Sequence, residues 1–336
     1  MRSYHVNSGE GIDGLTIRHH EDPVPGAGQV VVAVRATSLS YRELMVLRGY
    51  YVLPVKPDVV PVSDGAGEVV AVGPGVGGFR AGDRVAATLF PSWQDGRFGV
   101  QHLPQRGGSL DGMLTELAVL EESGLVPIPD HLSYEEAATL PCAAVTAWNA
   151  LTGDGTGLRP GQTLVTQGSG GVSLFALQFA KALGARVIAT TSSPAKAKRL
   201  ADLGADDVID YRATPDWAAE VMELTGGRGA DRVVDVAGLL EQSLKAVTIA
   251  GHVACVGFVS DVAPPIDSRV LFASGATVRA VAVGSRAEFF AMNRAIEVNR
   301  IRPVIDRVFP FDEAPDAYRY YASGKALGKV VIRIRL

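Results

Sequence analysis

The chain has 336 residues, 47% of them hydrophobic and 20% charged, with a formal net charge of −4. The length predicts two domains or one large α/β unit, and the charge lacks the positive excess that nucleic-acid binding needs. The amino terminus has no apolar segment of signal-peptide type, and no apolar run approaches membrane-spanning length, so we expect neither nucleic acid nor a membrane as a partner.

The first 125 residues read as short strands separated by turns. They contain alternating or β-branched runs punctuated by Gly, Pro and Asp, namely 29–36, 66–73, 83–90 and 114–121. Residues 90–110 are polar and aperiodic, which predicts a long surface loop. Trp93 and Phe98 in that loop either cover an apolar substrate or anchor the loop, and the sequence leaves both roles open.

From Ser133 onward the pattern alternates between helix and strand. Strands are predicted at 163–167, at "RVIATT" and in three later apolar runs, with 276–284 as the last of the series. Ser193 and Pro194 are predicted to cap and begin one of the intervening helices. Such a series builds a parallel sheet covered by helices. The final "VIDRVFPF" and "GKVVIRIRL" read as strands again, as if the chain returns to the first domain.

A glycine-rich turn, "GSGGVS", joins the strand 163–167 to its helix. It is GxGxxG with serine in the last place, and its residues are Gly168, Ser169, Gly170, Gly171, Val172 and Ser173. In a strand–turn–helix context this pattern predicts a dinucleotide site, because the glycines allow close backbone approach and the helix start offers free N–H groups to a pyrophosphate. A glycine turn without ligand and a Rossmann-type methyltransferase remain the alternatives, although the long β-rich segment disfavours the second.

The end of the next strand predicts which nicotinamide cofactor is used. An NAD site usually has Asp or Glu there to hold the ribose hydroxyls, and this chain has Thr191. Without that carboxylate a 2′-phosphate is not repelled, and Ser192, Ser193 and Lys196 can bind it. We therefore predict NADP(H), while a helix cap and a solvated lysine are the plainer roles of the last two residues.

The two cysteines raise a separate question. Cys142 and Cys255 form no CxxC motif and no disulfide framework, which favours a reducing, cytoplasmic compartment. Cys142 is open to being a nucleophile, a metal ligand, a redox partner or core, whereas Cys255 lies in an apolar strand and is predicted to be core.

The motifs together resemble the medium-chain dehydrogenase/reductase superfamily, and within it the zinc-independent alcohol-dehydrogenase-like and quinone-oxidoreductase-like branch. The resemblance rests on "GAGEVVAVGPGV", "AGDRV", "GSGGVS" and the final "GKVVI" in that order. It implies an α/β fold with a GroES-like catalytic domain (1–127 and 286–336), a Rossmann NADP-binding domain (128–285) and a substrate cleft between them.

The resemblance also bears on Cys142. The catalytic zinc ligands of relatives fall at Ser40, Ser63 and Cys142 in this chain, with Asp64 where the family has Glu. Two of the three ligands are serines, so no zinc is expected, and residues 90–110 contain no cysteines for a structural zinc. Cys142 is then a remnant of a ligand position that lines the cleft on the cofactor side, or a modifiable thiol near the cofactor.

Without a metal, the family chemistry implies hydride transfer to an electron-poor acceptor, either a quinone, an α,β-unsaturated carbonyl or a reactive carbonyl. The candidate catalytic residues that the resemblance supplies are Ser40, Tyr41, Arg42, Tyr51 and Asp64. Each has a plainer alternative: the tyrosines as cleft walls, Arg42 as the partner of Glu43, and Asp64 as structural support.

Further cofactor contacts are carried over from the family by position, at Thr146, Tyr211, Gly257, Phe258 and Lys329. The strand 276–284 is a plausible edge for a homodimer. Two other readings stay open, namely an alcohol or carbonyl dehydrogenase that works without zinc, and a non-catalytic NADPH-binding protein with a sensor or structural role.

Overall fold

A computed structural model describes residues 1–153, 155–259 and 265–335. The chain forms two compact units. Unit 1 contains residues 1–145 and 285–336, and unit 2 contains residues 146–284. The expected division after residue 127 thus differs from the observed one after Val145, because the segment between them packs on the strands of unit 1.

The secondary structure follows the chain in three segments. The first contains strands β1 (Arg2–His5), β2 (Thr16–His19), β3 (Gln29–Leu39), β4 (Asp64–Val72), β5 (Arg84–Ala87), β6 (Leu117–Glu121) and β7 (Leu125–Pro127), with helices α1 (Tyr41–Arg48) and α2 (Tyr134–Ala137). A π-helical turn, Leu140–Ala144, leads into the second segment. That segment contains α3 (Val145–Thr152), β8 (Thr163–Thr166), α4 (Gly171–Ala182), β9 (Arg186–Thr191), α5 (Pro194–Asp202), β10 (Asp207–Asp210), α6 (Trp217–Leu224), β11 (Ala230–Asp235), α7 (Leu240–Ala246), β12 (Val247–Cys255), α8 (Ser268–Ser274) and β13 (Thr277–Ala280). The last contains α9 (Arg286–Asn299), β14 (Ile305–Pro310), α10 (Ala314–Ala322) and β15 (Lys329–Arg333).

Unit 1 is built on a sheet with strand order β14-β15-β3-β4-β5-β7, and β6 also pairs with β3. The returning strand β15 runs antiparallel to β3, with Val330 opposite Leu39. The predicted return of the chain to the first domain is therefore observed. The core of unit 1 contains apolar side chains of β3, β4, α1 and α10, including Val32, Leu39, Leu47 and Tyr318.

In its described residues, unit 2 contains a sheet of six parallel strands in the order β10-β9-β8-β11-β12-β13. The chain moves outward from β8 to β10 and then crosses to build β11 to β13 on the other side. This is the Rossmann-like order that the sequence predicts, and it leaves a topological switch point between β8 and β11, where ligands of such sheets bind. The core includes Val165, Ile188, Trp217 and Val233.

Local sequence explains the helix starts. The Ser193 hydroxyl accepts a hydrogen bond from the Lys196 amide at 3.3 Å, and Pro194 occupies the first turn, as predicted. The last predicted strand is shorter than 276–284, because β13 ends at Ala280 and Val283 then adopts the left-handed region with φ +53°.

The loop at residues 90–110 is held by its own aromatic side chains. Phe98 packs edge-on against both Phe90 and Trp93, with ring centroids 4.9 and 4.8 Å apart, and Trp93 is 4% exposed. Of the two roles left open for these residues, the structure supports anchoring of the loop. Within the part of the chain that the structure describes, no helix has the length and apolarity needed to cross a membrane.

Candidate active site

Ser40 is the N-cap residue of α1, but its hydroxyl contacts a polar cluster of unit 1 and does not cap the helix. Ser40 precedes α1, and its carbonyl accepts from the Glu43 amide at 3.0 Å, but its side chain makes no cap hydrogen bond. The hydroxyl instead lies 2.8 Å from Lys329 Nζ and 3.4 Å from Asp64 Oδ2. Ser40, at the first of the family's zinc-ligand positions, is thus hydrogen-bonded to Lys329 and Asp64.

Asp64 is the fully buried centre of this cluster. Its Oδ2 accepts from Ser38, Ser40 and Lys329 at 3.3 to 3.4 Å, and its Oδ1 accepts from Ser63 Oγ at 3.0 Å. Burial raises the pKa of Asp64 to about 6, although the nearby Lys329 ammonium works in the opposite direction. Asp64 therefore contacts both serines that occupy the family ligand positions.

Arg42 is bound to Glu43, which was the plainer of its two expected roles. Arg42 Nη1 lies 2.7 Å from Glu43 Oε1, and both side chains are buried. The same carboxylate oxygen accepts from the Ser63 amide and hydroxyl at 3.2 and 3.0 Å. Among the described residues Glu43 Oε2 has no hydrogen-bond partner. Burial disfavours the charged guanidinium, but Glu43 and Tyr51 outweigh that effect and raise the pKa of Arg42.

The two candidate tyrosines, Tyr41 and Tyr51, make different contacts. Arg42 Nε donates to the Tyr51 hydroxyl at 3.2 Å, and the guanidinium stacks on the Tyr51 ring at 4.7 Å. The Tyr51 oxygen therefore accepts from a cation, which leaves its own O–H to be donated. The Tyr41 hydroxyl lies 3.4 Å from the hydroxyl of Tyr50, a residue that is 46% exposed.

Cys142 joins the cluster from the π-helical turn. Its half-buried thiol interacts with the Ser40 hydroxyl. Burial, reinforced by the Asp64 carboxylate, raises the pKa of Cys142 to about 12. A thiol with that pKa is protonated at neutral pH, which disfavours the nucleophile among its possible roles. Burial likewise raises the pKa of the half-buried Cys255, at the end of β12, to about 11.

The ligand positions that the family uses for zinc therefore meet in this chain, but their chemistry does not fit zinc. The three positions supply two hydroxyls and one protonated thiol, and the adjacent Asp64 adds a carboxylate. The Lys329 ammonium lies within hydrogen-bond reach of Ser40 and Asp64. Zinc sites use thiolate, imidazole and carboxylate ligands, and a neighbouring cation repels a dication. Among the described residues no group of three or more His, Cys, Asp or Glu side chains could hold a metal ion.

A second group of predicted residues lies on unit 2, at the carboxyl end of β8. Gly168 has φ +75°, its amide donates to Thr190 Oγ1 at 3.2 Å, and α4 begins directly after Gly170. A Cβ atom added at Gly168 or Gly170 would meet only open space, so the turn leaves a cradle in front of the helix start. Ser173, at the third motif position, donates instead to the Gln167 carbonyl at 2.6 Å. The cradle fits a pyrophosphate.

The end of β9 carries the residues predicted to discriminate between cofactors. Thr191 is buried, and its hydroxyl has no hydrogen-bond partner within the described ranges. Tyr211 follows β10, is 40% exposed, and its amide donates to the Thr191 carbonyl. Ser192 and Ser193 are half-buried next to them. An unpaired buried hydroxyl at the expected ribose position fits a cofactor that supplies the missing partner.

The other predicted cofactor residues are distributed over both units. Gly257 and Phe258 follow β12, and the backbone of Phe258 lies against Gly238. Thr146 is buried in α3. Lys329, predicted to reach the cofactor, contacts Ser40 and Asp64 in unit 1.

The sequence did not reveal a buried network across the switch point of unit 2. Gln167 Nε2 donates to Ser243 Oγ at 2.9 Å, and Ser243 Oγ donates to Asp235 Oδ2 at 2.8 Å. Asp235 Oδ1 and Gln167 Oε1 accept from the amides of Gly238 and Ala237. The network fixes the strand ends beside the cradle. The signal available in the sequence was a polar residue at the end of each of two apolar strands, Gln167 after β8 and Asp235 in β11.

Comparison with known proteins agrees with this geometry. Residues 26–130 match the family model described as "Alcohol dehydrogenase GroES-like domain", and residues 171–297 match the one described as "Zinc-binding dehydrogenase". A zinc-type alcohol dehydrogenase-like protein of Schizosaccharomyces pombe is 41% identical over 335 residues, 96% of each chain. A quinone oxidoreductase of Pseudomonas aeruginosa is 33% identical and covers the same shares.

Solved structures are similar over the whole chain. A Sinorhizobium meliloti protein described as an alcohol dehydrogenase superposes with a TM-score of 0.91 at 39% identity, covering 99% of this chain and 98% of its own. A mycobacterial protein solved in complex with NADPH has a TM-score of 0.83 at 28% identity, covering 99% of each chain. The fold and the glycine-lined helix start define a two-unit oxidoreductase. The chain belongs to the medium-chain dehydrogenase/reductase superfamily, so the resemblance inferred from the sequence is confirmed.

Proposed function

We propose that this chain is a zinc-independent, NADPH-dependent reductase of quinones, α,β-unsaturated carbonyls or reactive carbonyls. The observation that carries the proposal is the composition of the Ser40 cluster, in which hydroxyls stand at two of the three zinc-ligand positions of the family and the Lys329 ammonium contacts one of them. A plain alcohol needs a Lewis acid or a strong base to lose its hydroxyl proton, whereas an electron-poor acceptor needs mainly proximity and polar stabilisation.

The cofactor choice rests on the end of β9. Thr191 replaces the acid that holds an NAD ribose, and Ser192, Ser193 and Lys196 follow it at the start of α5. The NADPH complex of the mycobacterial relative supports the same choice. Gly168 to Val172 would hold the pyrophosphate, and the bound cofactor supplies a hydride.

The unit 1 residues have roles that follow from their contacts. The Ser40 oxygen accepts from Lys329, and its O–H, which donates to Asp64 Oδ2 over 3.4 Å in this structure, is the group that would turn to the oxygen of a bound acceptor. Tyr51, whose oxygen accepts from Arg42, is a second donor. Arg42 is neutralised by Glu43, so it orients Tyr51 and does not itself pair with substrate. After hydride addition the acceptor oxygen takes its proton from solvent through these hydroxyls.

The test is a substrate panel with product analysis. Purified protein is incubated with NADPH and a quinone, an enone, a simple aldehyde or, with NADP⁺, a primary alcohol, and the products are identified by mass spectrometry. We expect reduced quinone or saturated ketone and little alcohol oxidation. Dominant alcohol oxidation would favour the dehydrogenase reading that the yeast relative's name suggests. Tight NADPH binding without any turnover would favour a sensor or structural role.

The assembly and the location are proposals as well. Strand β13 is the last strand on its side of the unit 2 sheet in the described part of the chain, which makes it a candidate edge for pairing two copies. A homodimer predicts a light-scattering mass twice that of one chain, and a monomer mass would reject it. The free cysteines favour the cytoplasm, which fractionation of the source cells would test.

A further inference from the structure

Two histidines of unit 1 face each other where β1 pairs with β2. His5 ends β1 and is 8% exposed, whereas His20 directly follows β2 and is exposed. Their Nε2 atoms are 3.2 Å apart, and Ser3 Oγ lies 2.9 Å from the Nε2 of His5 and 2.8 Å from that of His20. The ring centroids are 5.3 Å apart, so each ring turns its Nε2 edge towards the other. The three polar atoms therefore form a compact triangle.

The strand register produces this triangle. In the antiparallel pairing of β1 with β2, Ser3 is opposite Arg18, and the backbone hydrogen bonds continue as far as His20. Side chains two residues apart on a strand lie on the same face, so His5 shares the face of Ser3, and His20 shares the face of Arg18. His19, between the last two, lies on the opposite face.

The contacts of the two rings make a lone pair available at each Nε2. His5 Nδ1 lies 3.1 Å from the Asp58 carbonyl oxygen and 3.4 Å from Asp58 Oδ2. Both of these oxygens are acceptors, so Nδ1 carries the proton and the neutral ring has its lone pair at Nε2. Among the described residues His20 makes its ring hydrogen bonds only through Nε2, so its Nδ1 can carry the proton when a ligand occupies Nε2. A histidine that donates its other N–H to a carboxylate or carbonyl is the usual arrangement of a metal ligand.

The distances fit a transition metal. Metal–nitrogen bonds of about 2.0–2.1 Å subtend about 100° between two nitrogens that are 3.2 Å apart, which is close to the tetrahedral angle. Arg18 shares the face, but its guanidinium is paired with the Asp58 carboxylate at 2.6 Å, so its charge is compensated. Imidazole ligands suit Zn²⁺, Ni²⁺ and Cu²⁺, and Cu²⁺ binds most tightly in that series.

We propose that His5 and His20 form a binding site for a divalent late transition metal, with Cu²⁺ as the tightest ligand and Ser3 Oγ or water at a further position. Within the described part of the chain no third His, Cys, Asp or Glu side chain completes the site, so water fills its remaining positions. Such an open site binds more weakly than a closed four-ligand site, and it is empty in protein purified without added metal. The bound ion would join β1 to the residue that follows β2. This proposal does not rest on the reductase function.

The test compares His20→Gln with His19→Gln, a matched control that removes the neighbouring exposed histidine from the other face of the strand. Each protein is dialysed to equilibrium against a series of Cu²⁺ concentrations, and bound copper is measured by metal analysis. We expect one Cu²⁺ per chain for the wild type and for His19→Gln with equal dissociation constants. His20→Gln should raise the dissociation constant at least about 10-fold, because even partners outside the ligand set are worth that much. Equal affinity in His20→Gln and the wild type would overturn the site.

A second measurement identifies the ligands without relying on a variant of the buried His5. The electron paramagnetic resonance spectrum of the wild-type protein with one equivalent of Cu²⁺ should show coupling to two imidazole nitrogens. His20→Gln with excess Cu²⁺ should show at most one at this site. Asp58→Asn keeps both ligands but removes the carboxylate beside His5 Nδ1, and it should weaken binding about 10-fold. Coupling to a single nitrogen in the wild type would overturn the two-histidine site.

Discussion

The Tyr211 amide donates a hydrogen bond to the Thr191 carbonyl at 2.9 Å, so the ends of β9 and β10 meet where the cofactor ribose is expected. Thr191 there offers a hydroxyl and no carboxylate. We expect Thr191→Asp to reverse cofactor preference, because the new carboxylate repels a 2′-phosphate and pairs with ribose hydroxyls.

The measurement is kcat/KM for NADPH and NADH. Thr191→Asp should lower the NADPH value at least about 10-fold and raise the NADH value. Ala219→Asp is the matched control, since it adds the same charge at an exposed position of α6. An unchanged ratio in Thr191→Asp would contradict the proposed NADPH site.

Breaking the Arg42–Glu43 pair is expected to destabilise the protein strongly. Glu43→Gln leaves the buried guanidinium without its counter-charge, at a cost of about 3–5 kcal/mol in the free energy of unfolding. Asp202→Asn, which breaks the exposed pair with Lys198, should cost at most about 1 kcal/mol. Urea unfolding of both variants checks this. Equal losses would show that burial does not strengthen the Arg42–Glu43 pair.

The two cysteines are expected to react slowly and in a fixed order. Burial raises the pKa of Cys142 to about 12 and that of Cys255 to about 11, so at pH 8 less thiolate is present than in the unfolded chain. Since thiolate is the reactive form, alkylation should slow by about 1000-fold and 100-fold respectively. Both rates should rise as the pH increases above 9. Peptide mass spectrometry after iodoacetamide pulses measures them, and native Cys142 reacting at its unfolded rate would contradict the assignment.

The local sequence was sufficient to predict the secondary-structure elements of unit 2. The Ser193 cap, the glycine turn and the alternating strands all depend on neighbours within a few residues, and each is observed. The family positions of Ser40, Ser63, Asp64 and Cys142 were likewise correct in bringing those residues together.

The contacts of Lys329 could not be read from the sequence. They depend on the register of β15 against β3, which joins residues almost the whole chain apart. A lysine in an apolar strand run gives no sign of which buried group it will face. The Gln167–Ser243–Asp235 network is hidden for the same reason, since three separate elements contribute to it.

We propose that reduction by this protein needs NADPH and no metal. The most direct measurement is the initial rate of NADPH oxidation with a quinone or enone, before and after removal of metal by a chelator, with zinc content measured on the same samples. We predict equal rates, zinc far below one equivalent, and slower turnover with NADH. A rate that disappears with the metal and returns with added Zn²⁺ would contradict the account.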